Sequence, residues 1–212
     1  EKIEESVDEI FSIHQKAIDF LEEYTQVKFP FQKMDFVAIP PFQYGGMEHV
    51  GAIQYRASSL FLDKNATQNR KLSRAKLIGH ETSHMWFGDL VTMKWWDGIW
   101  LNEAFASLME AIAANGTYPE FDQWSEMNLS RSAGFGVDSL KNSRPVEFEV
   151  ETPEQAEEMF DVLTYEKGST VLRMFEMFVG EEIFQKGVQQ YLNKYKFENT
   201  HSSDLWESLS EA

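Results

Sequence analysis

His80-Glu81-Thr82-Ser83-His84, running on through Met85-Trp86-Phe87-Gly88-Asp89-Leu90-Val91-Thr92-Met93-Lys94-Trp95-Trp96 to Trp100-Leu101-Asn102-Glu103, is the stretch on which the reading of this chain turns. Helical periodicity extends from near Asn69 to Phe87, so the H-E-x-x-H pentapeptide lies inside a helix. Four residues of α-helix turn about 400°, so both imidazoles project from one face, one turn apart. That spacing suits a single Zn²⁺ held at roughly 2.0–2.1 Å. Glu81 is too short to displace a ligand, yet points to the same cleft, where it can take a proton from an activated water. Catalytic zinc takes three protein ligands plus water, and the candidate third is Glu103. It opens a second helix, Leu101 to Asn115, whose apolar face is written by Leu101, Ala104, Leu108 and Ile112. A charged stripe such as Glu103, Ser107 and Glu110 is ordinarily solvated. Here the apolar run Trp95-Trp96 through Trp100 predicts burial, and a buried carboxylate needs a cation. Ser107 and Glu110 are candidates to orient an imidazole.

Working outward, Ile3, Val7, Ile10, Phe11, His14, Ala17, Ile18 and Leu21 recur at helical steps and predict an amphipathic helix of about six turns. His14 lies on its apolar stripe and is read as a packed core histidine rather than a ligand. Met34–Ile39 reads as a buried strand closed by Pro40-Pro41, Val50–Tyr55 as a second, and Ser59–Leu62 as a third. Leu90–Met93 is a brief extended piece, and Asn115-Gly116 is a helix stop. Further helices are expected over 119–132, 154–160, 162–179, 181–195 and 203–212, with a loop at Asn142-Ser143-Arg144-Pro145 and a solvated acidic face running through Glu158. Strands lie early and helices late, which predicts an α+β domain with a small sheet lobe and a helical lobe.

The chain has 212 residues, 42% of them apolar and 14% aromatic, enough for a sizeable core and too apolar for disorder. Its formal charge of −16 argues against nucleic acid or an anionic membrane as partner, because phosphate binding needs clustered cations. With no cysteine, thiol nucleophiles, disulfides and thiolate metal sites are excluded, so any metal must be held by His and carboxylates. No apolar run approaches the roughly 20 residues of a membrane span. The chain opens on Glu1 and stops in an amphipathic stretch without a terminator. Both ends are read as cuts in a longer protein, which leaves the compartment open, the cytoplasm being favoured.

These residues resemble the zinc aminopeptidases related to aminopeptidase N and leukotriene hydrolase. Eighteen residues separate His84 from Glu103, the spacing of the family's H-E-x-x-H…E signature. His84 to Trp96 resembles the family nearly residue by residue, with Asp89 where Asn is commoner. Gly45-Gly46-Met47-Glu48-His49 is similar to its G-x-M-E-N segment, His49 standing for the usual Asn, and Thr164-Tyr165-Glu166-Lys167-Gly168 to its Y-E-K-G motif. Arg144-Pro145 stands where a His-Pro pair is common.

The resemblance implies that residues 1–212 form one thermolysin-like catalytic domain, its small mixed β lobe and helical lobe flanking a cleft with one Zn²⁺ on His80, His84 and Glu103. It implies catalysis by Glu81 as general base and by Tyr165 as hydrogen-bond donor to the oxyanion. Gly45, Gly46, Met47 and Glu48 would bind substrate, an edge strand pairing with the peptide while Glu48 holds its free α-amine. Tyr44, Gly45 and Gly46 would line the pocket for the first side chain. The implied reaction releases N-terminal amino acids from peptides with a free N-terminus. Family members usually carry an N-terminal β domain and a C-terminal helical domain as well, which this stretch, read as a piece of a longer protein, is expected to lack. The alternatives are zinc binding without activity in their absence, and a leukotriene-hydrolase-like bifunctional enzyme. A zinc scaffold without catalysis would have no need of Glu81 and Tyr165, and a thermolysin-type endopeptidase none of Glu48.

Overall fold

The computed structural model describes residues 2–118 and 123–212. Helix α1 (Lys2–Thr25) buries Ile10, His14, Ala17 and Leu21 of the predicted stripe and adds Ile13, while Ile3 and Phe11 of that stripe are exposed. It ends where the Thr25 hydroxyl donates back to the Leu21 carbonyl at 2.6 Å and Gln26 turns to φ 56°. His14 is a core residue. Its Nδ1 lies 2.8 Å from the Ile10 carbonyl and its Nε2 3.0 Å from the Tyr55 hydroxyl, and its ring stacks on Phe36.

Strands β1 (Phe36–Ile39), β2 (Gly46–Met47) and β3 (Ile53–Arg56) form a mixed sheet in the order β1-β3-β2, parallel between β1 and β3 and antiparallel between β2 and β3. The expected third strand at Ser59–Leu62 is not one. Ala57–Leu60 closes a single helical turn, α2, through Phe61 N–H to the Ala57 carbonyl. The Leu62 N–H then bonds to the Ser6 hydroxyl instead of a strand partner.

Helix α3 (Gln68–Ser83) starts on Thr67, whose hydroxyl accepts from the Arg70 N–H, and ends four residues before the expected Phe87. Past Ser83 the amides of Asp89, Leu90 and Val91 reach back five residues, to the carbonyls of His84, Met85 and Trp86. The Trp86 indole crosses to donate to the Val27 carbonyl at 3.0 Å. That tertiary tie, absent from any local pattern, accompanies the break in helical register. Strand β4 (Val91–Met93) follows, matching the expected extended piece.

Helix α4 (Ile99–Thr117) begins two residues early and runs through Asn115-Gly116 without stopping. It buries Leu101, Ala104, Phe105, Leu108, Met109 and Ala113, so packing holds it on most sides. Each fully buried Leu or Phe contributes roughly 1.5–3 kcal/mol, which outweighs the preference of Gly for ending a helix. Next come α5 (Gln123–Asp138), α6 (Pro153–Glu158), α7 (Gly168–Val179), α8 (Glu181–Tyr195), β5 (Glu198–Thr200) and α9 (Ser202–Glu211). The helix expected over 119–132 therefore runs later, and residues 119–122 lie outside the described residues. The helix expected over 162–179 is two pieces, a π-helical turn at Leu163–Lys167 and then α7. Strand β5 pairs in parallel with β4. The core centres on α3 and α4, with Phe87 stacked on Phe105 at 4.5 Å and Phe184 beyond it. The described residues form a helix-rich α+β domain with two small sheets.

Candidate metal centre and active site

The last turn of α3 and the first of α4 meet at three ligand atoms. His80 Nε2 and His84 Nε2 lie 3.2 Å apart, and Glu103 Oε2 is 3.2 Å from the first and 3.3 Å from the second. Tetrahedral bonds of about 2.0–2.1 Å would set ligand atoms about 3.3 Å apart. The triangle therefore fits a zinc-sized cation with a fourth position open. His84 and Glu103 are buried, and these three residues are one of two groups, among the described residues, whose donor atoms could hold a metal. The other, Glu48, Glu81 and His84, shares His84 with it.

The far side of each ring is fixed. His80 Nδ1 lies 3.1 Å from Glu110 Oε2, and Glu110 Oε1 lies 3.2 Å from Lys76 Nζ. His84 Nδ1 lies 3.0 Å from the Phe87 carbonyl. A ring that donates Nδ1–H to such an acceptor turns its Nε2 lone pair toward a metal. Glu110 thus stands where the sequence reading puts an orienting partner. Ser107 is not among the hydrogen-bond partners of the imidazole nitrogens, which are Glu110, Glu103, the Phe87 carbonyl and each other.

Charge balance carries the same message. Burial opposes charge on His84, but the Glu48 and Glu103 carboxylates outweigh it and hold the ring up at about 9. Burial would likewise raise Glu103, yet the two imidazoles hold it well below the usual carboxylate range. The carboxylates favour positive charge at the two imidazoles.

Glu81 projects from α3 beside this triangle, and burial raises it to about 7. Gly46 of β2 passes directly over it, so closely that a Cβ there would fall 2.2 Å from Glu81 Oε1. Gly45 packs against Leu77, Met47 is half-buried, and Glu48 Oε1 lies 3.9 Å from His84 Nδ1. Tyr44 is exposed and stands edge-on to Phe42. The Tyr165 ring lies 5.9 Å from the His80 ring. Its phenol is pushed far up by burial and by the carboxylates of Glu103, Glu48 and Glu81, so it stays a donor. The structure thus gathers His80, His84, Glu103, Glu81, Gly46, Glu48, Tyr165 and Glu110 around the metal triangle.

Sequence reasoning missed three neighbours. Lys76 sits one turn before His80 on the same face of α3, a spacing that could have flagged it. The Phe87 carbonyl left no signal, being backbone after an unforeseen helix end. Asp89 is pushed up to about 7 by burial and by Glu48, and its Oδ2 is buried without a hydrogen-bond partner.

Residues 10–212 match the peptidase family M1 domain. The chain is 43% identical over 206 residues to Probable aminopeptidase 1 of Sulfurisphaera tokodaii, covering 96% of this chain and 26% of that protein. It is 48% identical over 198 residues to Endoplasmic reticulum aminopeptidase 2 of Homo sapiens, covering 92% of this chain and 20% of that protein. With the Puromycin-sensitive aminopeptidase of Caenorhabditis elegans it shares 42% identity over 199 residues, 93% of this chain and 21% of that protein. The chain thus spans about a fifth to a quarter of the length of these relatives. A match that runs through every element from α1 to α9 and takes in both helices of the metal triangle leaves one conclusion: this chain belongs to peptidase family M1.

Proposed function

We propose that this domain is the zinc-dependent catalytic part of an aminopeptidase, thermolysin-like in fold, releasing N-terminal amino acids from peptides. The observation that carries the reading is the triangle of His80 Nε2, His84 Nε2 and Glu103 Oε2, with edges of 3.2, 3.2 and 3.3 Å and Glu81 beside it. One zinc would be held by those three residues and would supply Lewis-acid polarisation of the scissile carbonyl and acidification of water.

The remaining steps belong to the chain. Glu81 accepts a proton from the attacking water at its carboxylate and delivers it to the leaving amine nitrogen. Its burial, which favours the protonated form, suits a group that must hold that proton between the two transfers. Tyr165 keeps its hydroxyl proton and donates a hydrogen bond to the oxygen that becomes negative as the tetrahedral intermediate forms. Glu48 receives the substrate's α-ammonium, which leaves room for one residue before the scissile bond. Strand β2 is a sheet edge, paired on one side with β3, and its other side can receive the substrate backbone. Gly45, Gly46 and Met47 would form that strand's contact with the peptide. Glu110 and Lys76 orient His80.

The relatives' length supports a domain that works within a longer chain, whose other domains would complete the amine site. The test is zinc content measured beside hydrolysis of aminoacyl-arylamides, free and N-acetylated, in the full-length protein. One zinc per chain is expected, with turnover that acetylation abolishes and that Glu81→Gln lowers about 10²–10⁴-fold. Protein that takes up no zinc under metal-replete conditions would sink the ligand assignment. Undiminished cleavage of acetylated substrates would sink the aminopeptidase reading.

A further inference from the structure

Tyr165 stands in the π-helical turn Leu163–Lys167, a geometry that is rare and recurs at functional sites. Both ends of that turn are tied to one residue, Arg144, for which neither the sequence nor the proposed chemistry has a use. At the start, Arg144 Nη2 donates to Asp161 Oδ1 at 2.6 Å, to Thr164 Oγ1 at 3.0 Å and to the Met159 carbonyl at 3.3 Å. The same Asp161 oxygen accepts the backbone N–H groups of Leu163 at 2.9 Å and Thr164 at 3.1 Å. The guanidinium therefore holds the carboxylate that caps the turn. At the other end, Lys167 Nζ donates to the Arg144 carbonyl at 3.3 Å and to Asp138 Oδ1 at 2.7 Å. The Phe148 ring lies 5.1 Å from the guanidinium carbon, and Thr164 is completely buried.

The opposite wall is α4, which bears Glu103. A Cβ at Gly168 would fall 3.0 Å from that of Ala104, so the turn is pressed against α4. A π turn freed from its ties can relax to α-helical register, and one residue of register swings a side chain by about 100°. That rotation would carry the Tyr165 hydroxyl out of the cleft.

We propose that Arg144 is a positioning residue: it fixes the π turn through Asp161 and Thr164 so that the Tyr165 hydroxyl meets the oxyanion. The proposal rests on the role assigned to Tyr165 above, and the test separates the two. In the full-length protein, kcat, KM and zinc content are measured for Tyr165→Phe, Arg144→Ala, Arg144→Lys and the double variant Arg144→Ala/Tyr165→Phe. Tyr165→Phe is expected to lower kcat about 10²–10³-fold, as loss of an oxyanion donor does. Arg144→Ala is expected to lower kcat about 10–100-fold, with KM and zinc content unchanged. Arg144→Lys, which can still reach one acceptor, should recover part of the loss. The double variant should be no slower than Tyr165→Phe alone, because Arg144 acts only through that hydroxyl.

A wild-type kcat in Arg144→Ala beside an impaired Tyr165→Phe overturns the proposal and leaves the role of Tyr165 standing. So does a loss that multiplies with that of Tyr165→Phe. An unimpaired Tyr165→Phe overturns both. Should Arg144→Ala fail to fold, Thr164→Val is the isosteric substitute, removing one acceptor. It is expected to lower kcat about 5-fold and to add nothing in the Tyr165→Phe background; an additive loss there overturns the proposal equally.

Discussion

Replacing Gly46 by alanine should disable hydrolysis while leaving the fold and the zinc in place. The added Cβ would fall 2.2 Å from Glu81 Oε1, 2.4 Å from its Cδ and 2.6 Å from its Cγ. Ordinary contact begins at 3.4 Å, so the Glu81 carboxylate must retreat by 3.4 − 2.2, about 1.2 Å. All three atoms belong to one flexible side chain, and Gly46 does not occupy the left-handed region, so β2 itself has no reason to move. The cost lands on the position of the base. Misplacing a reacting group by about 1 Å costs on the order of 10²-fold in rate, so kcat should fall about 100-fold. The assay is kcat on an aminoacyl-arylamide with zinc content and thermal midpoint measured on the same preparation. A kcat within twofold of wild type, at equal zinc, would mean that Glu81 is not the base or does not lie beneath Gly46 in the working enzyme. A fall in kcat matched by loss of zinc would refute the claim that the strand acts on the base alone.

Two further outcomes follow from buried groups. His14 is held at about 4 by burial, against an unfolded value of about 6.5, so the unfolded chain binds the extra proton between those values. Its contribution is whole above about pH 6.5 and is lost as pH falls toward 4, by about 3 kcal/mol in all. Urea unfolding across that window should show a shallower pH dependence in His14→Gln, and identical slopes would dismiss His14 as a source. Glu110→Gln weakens the charge-assisted bond to His80 Nδ1 and should lower zinc affinity about 10–100-fold, read by chelator competition; unchanged affinity would show that Glu110 does not orient the ring.

Much of the site was legible because its information is local. His80 and His84 share a helix face by period alone, and Glu103 was identifiable from the apolar segment before it. Glu48, Tyr165 and Tyr44 were read through resemblance rather than spacing. The misreadings have particular causes. The pattern from Asn69 to Phe87 stays apolar past Ser83 because Met85, Trp86 and Phe87 are core residues although they lie outside the helix, so hydrophobic periodicity could not mark the helix end. Ser59–Leu62 looked like a strand for want of knowledge that Ser6 would take the Leu62 amide. Ser107 shares its helix with Glu103 and Glu110, but the imidazoles are reached from positions 103 and 110 and not from 107.

The sequence by itself placed His80 and His84 on one helix face and pointed to a mixed α and β domain, since these depend on neighbours within one helix or on composition, while Glu103, on a second helix, was singled out by the apolar run before it. Only the tertiary structure decided how Gly46 roofs Glu81, how Lys76 and Glu110 line up behind His80, and how Arg144 straps the turn of Tyr165. Those contacts join residues from 17 positions apart, Arg144 and Asp161, to 35 apart, Gly46 and Glu81. Their distances are set by how whole elements pack, which no local period encodes.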